Sequence, residues 1–288
     1  MDLPIPNQSA FPLKFVEANG LRHAYLEAGQ GPAIFFLHGF PDSAYGWEKS
    51  LSYFSESHRC IAPFLRGYYP SGIPADGDYA MKTVAQDIVA IADQMGIDRF
   101  IVAGQDWGAM VGYSIANLVP DRLEKLITVA IPHPAYIRLN ALDIFRARHF
   151  IRFRNAKASL GYTRRRDLAY INRLYDRWSP NWNERHQSAE QIKETYRLEG
   201  RLEAALGYYW VATAARQDKA LQKWYAQRPT MPILCFAGKA DGALTLRHFL
   251  EMEKRIKTPF QLAIHETAGH FLHQEEPDFF HEQMNKFL

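Results

Sequence analysis

The stretch Phe100-Ile101-Val102-Ala103-Gly104-Gln105-Asp106-Trp107-Gly108-Ala109 constrains this chain more than any other. An unbroken apolar run reads as a buried parallel strand, and apolar-periodic sequence resumes from Ala109 to Leu118 as a helix. Between them lies Gly-x-Asp-x-Gly, the pattern of a sharp strand-to-helix turn that exposes one side chain above a sheet. In that position a serine is usual, and here it is Asp106. A lone Asp before Trp-Gly would read as a turn or helix-capping residue. Its placement between a strand and a helix gives it a chemical reading instead.

Further strand-like runs cover Ala33–Leu37, Arg59–Pro63, Leu126–Ile131, Pro232–Gly238 and Phe260–Ile264. A helix is expected from Met81 to Met95, with Val84, Ile88, Ile91 and Met95 on one face. Apolar strands alternating with amphipathic helices imply an α/β fold with a mostly parallel sheet covered on both faces. The alternation stops after Pro132-His133-Pro134, and residues 135–228 show helical segments with almost no strand signal. The chain is therefore expected to have a core in two parts, 1–134 and 229–288, with a helical cap between them. In open α/β sheets ligands bind beyond the carboxyl ends of the strands, where such a cap would enclose a substrate and exclude water.

Composition narrows the classes. The 288 residues are 47% hydrophobic, enough for a sizeable core, and the net charge of +3 is too small to argue for nucleic acid. Cys60 and Cys235 lie in apolar runs and read as buried free thiols of a reducing compartment. The N-terminus has no secretory pattern, and no apolar run approaches the roughly 18 residues that span a bilayer. A cytoplasmic protein without a membrane partner is expected. Between Ala141 and Arg185 there are eleven Lys or Arg and four Asp or Glu. This reads as a solvated helix face, with attraction of an anionic substrate as the sharper alternative.

Three loops after strands complete a constellation with Asp106 in the order nucleophile, acid, histidine. Asp241 follows the strand ending at Gly238, and His270 lies in Glu266-Thr267-Ala268-Gly269-His270-Phe271. Leu37-His38-Gly39-Phe40-Pro41 would aim the Phe40 N–H at the nucleophile, opposite that of Trp107. His38 and His133 read as packing residues, and His273 as a surface or supporting one. No His/Cys cluster has metal-ligand spacing, and no Gly-x-Gly-x-x-Gly follows a strand, so neither metal nor organic cofactor is expected.

With His38-Gly39-Phe40-Pro41, Arg66-Gly67-Tyr68, Gln105-Asp106-Trp107-Gly108 and Gly269-His270-Phe271 in place, the chain resembles the α/β-hydrolase superfamily. Within it the match is to the Asp-nucleophile branch of epoxide hydrolases and dehalogenases. The resemblance implies an α/β-hydrolase fold and a small-molecule substrate, an apolar epoxide first of all. It implies catalysis by Asp106, Asp241 and His270, with Phe40 and Trp107 as oxyanion donors. It also implies two ring-opening donors in the cap, Tyr209 in Ala205-Leu206-Gly207-Tyr208-Tyr209-Trp210 and His149 where a tyrosine is commoner. Gln105 replaces the usual His, as in some haloalkane dehalogenases. Phe40 removes one form of halide site in that rival, while Trp178, Trp182 and Trp210 leave the other open. The absence of arginines at Trp107 and Met110 speaks against a haloacetate substrate. A non-catalytic ligand-binding protein on the same scaffold is the alternative from another class.

Overall fold

A computed structural model describes Ile5 and residues 9–288. Eight strands form one sheet: β1 (Leu13–Ala18), β2 (Leu21–Ala28), β3 (Ala33–Leu37), β4 (Arg59–Pro63), β5 (Phe100–Gln105), β6 (Leu123–Val129), β7 (Ile233–Gly238) and β8 (Phe260–His265). Their order is β1-β2-β4-β3-β5-β6-β7-β8. β3 to β8 run parallel, and β1 and β2 add an antiparallel edge. The edge hairpin turns on Asn19 and Gly20, both at positive φ (49° and 73°), so that Ala18 faces Leu21. Two positive-φ residues match the right-handed twist of the flanking strands.

Helices α1 (Glu48–Phe54), α2 (Met81–Gln94) and α3 (Trp107–Leu118) alternate with the first parallel strands. α3 starts two residues before the periodic pattern does, since Trp107 and Gly108 already have helical backbone. The central strands are buried on both faces, which accounts for their unbroken apolar sequence. Phe35 and Val102 face α2 and α3, whereas Ile34, Phe36 and Ile101 belong to a second cluster with Trp47 and Phe54. Complete burial of such a side chain contributes roughly 1.5–3 kcal/mol.

From β6 to β7 the described residues form no strand. The chain runs through a short 3-10 turn and seven helices: α4 (Ala141–Arg146), α5 (Arg148–Phe153), α6 (Ala156–Thr163), α7 (Arg165–Trp178), α8 (Arg185–Tyr196), α9 (Arg201–Ala215) and α10 (Lys219–Tyr225). α9 packs on α5, α6 and α8, and α10 reaches back to α3. The insertion has no separate core. Phe153, Leu174, Trp178, Tyr208 and Tyr209 join Phe40 and Trp107 in one continuous buried cluster. Helices α11 (Arg247–Arg255), α12 (Leu272–Glu275) and α13 (Pro277–Phe287) complete the fold, with α13 against α1. Both cysteines are free and buried. No helix among the described residues is long and apolar enough to cross a membrane.

Candidate active site

The turn between β5 and α3 consists of Asp106 alone, at φ 51° and ψ −116°. A non-glycine residue held there costs on the order of 1–3 kcal/mol, so the surroundings must enforce it. The flanking glycines do so by contact. A Cβ on Gly104 would stand 2.3 Å from the Gly108 carbonyl oxygen, and one on Gly108 only 2.0 Å from that of Leu37. Gly39 is needed for the same reason, since its Cβ would lie 2.5 Å from that of Asp106.

Two loops converge on the half-buried carboxylate. After β3, the Phe40 N–H donates to Asp106 Oδ1 at 3.0 Å. Trp107, the first residue of α3, carries an N–H without a helical acceptor. After β8, His270 places Nε2 3.4 Å from Asp106 Oδ2 and Nδ1 3.0 Å from Asp241 Oδ2. Asp241 Oδ1 accepts from the N–H groups of Ala243 (2.6 Å) and Leu244 (3.3 Å), which fixes the carboxylate after β7. Burial disfavours the His270 imidazolium. The Asp241 charge and its hydrogen bond, with the Asp106 carboxylate beside Nε2, outweigh it and raise the pKa to about 10.

Asp106, His270 and His149 line a cavity of about 540 Å³, whose other walls are mostly apolar, among them Met110, Phe150 and Ile144. His149 is buried, with its ring centroid 4.9 Å from that of Trp178 and 5.8 Å from that of Tyr209. Burial, then the nearby Arg177 and His270, holds it well below the usual imidazole range, so it is neutral. Tyr209 is not among the described residues that line the cavity. Its ring stands behind them, 4.9 Å from Trp107 and 5.2 Å from Phe40. Burial and the Asp106 charge push its phenol well above 10. Of the tryptophans Trp178, Trp182 and Trp210, Trp210 donates to Ser159 Oγ (3.1 Å) and Trp182 stacks near Tyr175. Trp178 alone keeps a buried N–H without a partner, as does Trp107.

His38 packs as expected, its Nε2 accepting from the Leu65 N–H at 3.1 Å. His133 caps a turn through the Ala135 N–H at 3.2 Å. His273 is not on the surface. It is buried against Trp47 (4.0 Å between ring centroids), because the short α12 turns its first residues into the core beneath the site. Arg66 forms a buried two-point pair with Asp87 (both 2.6 Å), and Tyr208 donates to its carbonyl, which makes that motif a structural brace. The described residues include no group of three or more His, Cys, Asp or Glu suited to a metal ion.

The sequence model for the alpha/beta hydrolase fold matches residues 32–277. This chain belongs to the alpha/beta hydrolase family. Among curated proteins the hydrolase is similar to epoxide hydrolase 4 of Mus musculus, with 26% identity over 95% of this chain and 78% of that one. It is similar to epoxide hydrolase 1 of Caenorhabditis elegans at 27%, over 96% and 70% of the two chains. The AB hydrolase superfamily protein YfhM of Bacillus subtilis is 29% identical over 96% and 97%. Among solved structures, epoxide hydrolase VrEH1 of Vigna radiata superposes with a TM-score of 0.81 at 21% identity, covering 96% and 97% of the chains. That last likeness speaks to the fold.

The hydrolase also holds supports that the motifs did not reveal. Ser179 Oγ accepts from the N–H groups of His270 (3.0 Å) and Phe271 (3.3 Å), and donates to Glu275 at 2.5 Å. Glu275 in turn accepts from the N–H groups of Gly269 (2.8 Å) and Phe271 (3.0 Å). Gln105 reaches the His270 carbonyl at 3.3 Å. Gly269 and Gly242 both press on the end of α7, where added Cβ atoms would meet the Trp178 and Arg177 carbonyl oxygens. Asp42, beside Phe40-Pro41, is buried and accepts from Gln274 at 2.7 Å. Burial lifts it to about 7, against the opposing bonds from Ser43 and Gln274.

Proposed function

We propose that this hydrolase opens an apolar epoxide to a vicinal diol through an ester on Asp106. The observation that carries the reading is the pairing of an aspartate at the elbow with Phe40 N–H on one oxygen and His270 by the other. A carboxylate there suits attack on a saturated carbon, and the apolar cavity walls suit an uncharged substrate. The names of the mouse and nematode relatives point the same way. The helical insertion serves as the cap.

An Asp106 oxygen attacks one ring carbon and breaks its C–O bond, leaving an alkyl ester and an alkoxide. Neutral His149, in the cavity wall, offers its one ring N–H to that alkoxide, and the Tyr209 phenol, kept protonated by burial behind the wall, joins it once the side chains between them shift. Esterification removes the Asp106 charge, one of two that hold a proton on His270, and the proton shed by the imidazole balances the one the alkoxide gains. Neutral His270, oriented by Asp241, then takes a proton from water, which adds to the Asp106 carbonyl carbon. Phe40 and Trp107 N–H groups stabilise the oxyanion, by about 3–4 kcal/mol per donor in comparable sites. Collapse releases the diol and restores the Asp106 carboxylate beside protonated His270.

One observation favours a second reading, dehalogenation: the unpartnered indole N–H groups of Trp107 and Trp178. Trp178 is not among the described cavity-lining residues, which weakens it. The intact mass of a His270→Gln variant separates the two after exposure to epoxides and haloalkanes. A gain equal to the whole epoxide is expected. A gain equal to an alkyl group without halogen would transfer the activity to dehalogenation, and no adduct from either class would overturn the nucleophile.

A further inference from the structure

Among the described residues large apolar side chains are exposed at few places, and five of them cluster in one stretch. Leu139, Leu142, Ile144, Phe145 and Ile151 are each 50–61% exposed. Leu142 and Phe145 lie three apart on α4 and so share a side of it. Leu139, Ile144 and Ile151 line the active-site cavity as well as facing solvent. The patch is therefore the rim of the cavity, and a continuous apolar path leads from it towards Asp106.

The same stretch is strongly cationic. Residues 138–157 contain Arg138, Arg146, Arg148, Arg152, Arg154 and Lys157 against one carboxylate, Asp143. Asp143 is fully buried and engaged with Thr245, Arg247 and the Asn140 N–H. Among the described residues none of these six cations pairs with a carboxylate. Two stand over aromatic rings, Arg148 over Phe145 at 4.2 Å and Arg152 over Tyr162 at 4.3 Å. Such stems cover apolar surface while the charged heads remain in the polar layer.

We infer that this rim docks on an anionic lipid surface, with Leu142 and Phe145 entering the acyl boundary and the arginines meeting headgroup phosphates. The relation differs from spanning, which no described helix can do. A second copy of the chain fits poorly, because a self-complementary contact would set one cationic rim against another. On the proposed function, the docked cavity draws its apolar epoxide directly from the bilayer.

Flotation of the Asp106→Asn protein with lipid vesicles tests docking without any dependence on turnover. The wild-type rim should float with phosphatidylcholine–phosphatidylserine vesicles and not with phosphatidylcholine alone. Reversing Arg152→Glu with Arg154→Glu should weaken binding about a hundredfold. The pair Leu142→Ser and Phe145→Ser should weaken it about tenfold or more. Unchanged melting temperatures confirm that the variants fold. No flotation, or flotation indifferent to both pairs, overturns the inference. So does a lipid-free dimer that Leu142→Ser with Phe145→Ser abolishes, which would give the face to a second copy. Failed flotation with retained epoxide turnover overturns docking alone, whereas a failed mass adduct with sound flotation overturns only the reaction.

Discussion

Gly108 sits directly on the carbonyl of Leu37, so close that a methyl group in place of its hydrogen would stand 2.0 Å from the oxygen. The contact joins the first turn of α3 to the end of β3. It thereby sets the distance between Asp106 and the Phe40 N–H, which follows three residues after Leu37.

Gly108→Ala must push α3 away from β3. Overpacking of this kind typically costs about 1–3 kcal/mol. A lower melting temperature is expected, together with a loss of turnover larger than the stability loss explains, because the Phe40 bond to Asp106 opens. Thermal unfolding and kcat measured on the same preparation check this. A variant with wild-type kcat would show that the contact does not govern the geometry.

The proton on His270 makes stability depend on pH. Its pKa rises from 6.5 to about 10 on folding, so the linked stabilisation is complete below pH 6.5 and fades as pH climbs through about 10. Denaturant unfolding from pH 6 to 10 should show this decline. In Asp106→Asn one of the supporting carboxylates is gone, so the decline should end at lower pH and be smaller in total. Parallel curves for the two proteins would contradict the assignment of the charge to this pair.

Asp42 gives the opposite comparison. Its carboxyl is lifted from 3.8 to about 7, so the folded chain holds a proton the unfolded chain releases, and stability falls as pH rises between those values. Asp42→Asn keeps an acceptor for Gln274 and cannot ionise. The variant should lose that slope and be the more stable protein at pH 8. A slope unchanged from wild type would place the titration elsewhere.

Ser179→Ala removes a shared acceptor of the His270 and Phe271 N–H groups, which keep the Trp178 carbonyl and Glu275 as partners, at a cost of about 0.5–1.5 kcal/mol. Because His270, the base of the proposed reaction, would lose its mooring while the cavity walls stay, kcat should drop with KM little changed. Partial rescue by Ser179→Thr would distinguish positioning from general destabilisation.

Features that depend on local backbone sterics were legible in the sequence. The glycine-flanked Asp106 announces its turn because only missing side chains permit it, and the parallel strands announce themselves by two-sided burial. The β1–β2 hairpin carries an equally local signal, Asn19-Gly20 between β-rich runs, but it lies outside the alternation of strands and helices that marks the rest of the sheet. Ser179, Glu275 and Asp42 gave no local signal at all. Ser179 meets His270 across 91 residues and Asp42 meets Gln274 across 232, and a polar side chain committed to a distant backbone looks like any surface residue until the chain is folded. His149 and Tyr209 were legible only through resemblance. The structure places the first in the cavity wall and the second behind it.

The insertion leaves the sheet after β6 and returns at β7, and those strands are paired neighbours, Val129 beside Phe236. A single seam thus carries the whole inserted segment, and a transplant from a relative would leave every strand register untouched. Yet the end of α7 wedges between the Asp241 and His270 loops through the carbonyls of Arg177 and Trp178 and the hydroxyl of Ser179. A chimera that swaps the segment for altered selectivity must keep residues 177–179 as a keystone, or it will exchange the lock and lose the hinge with it.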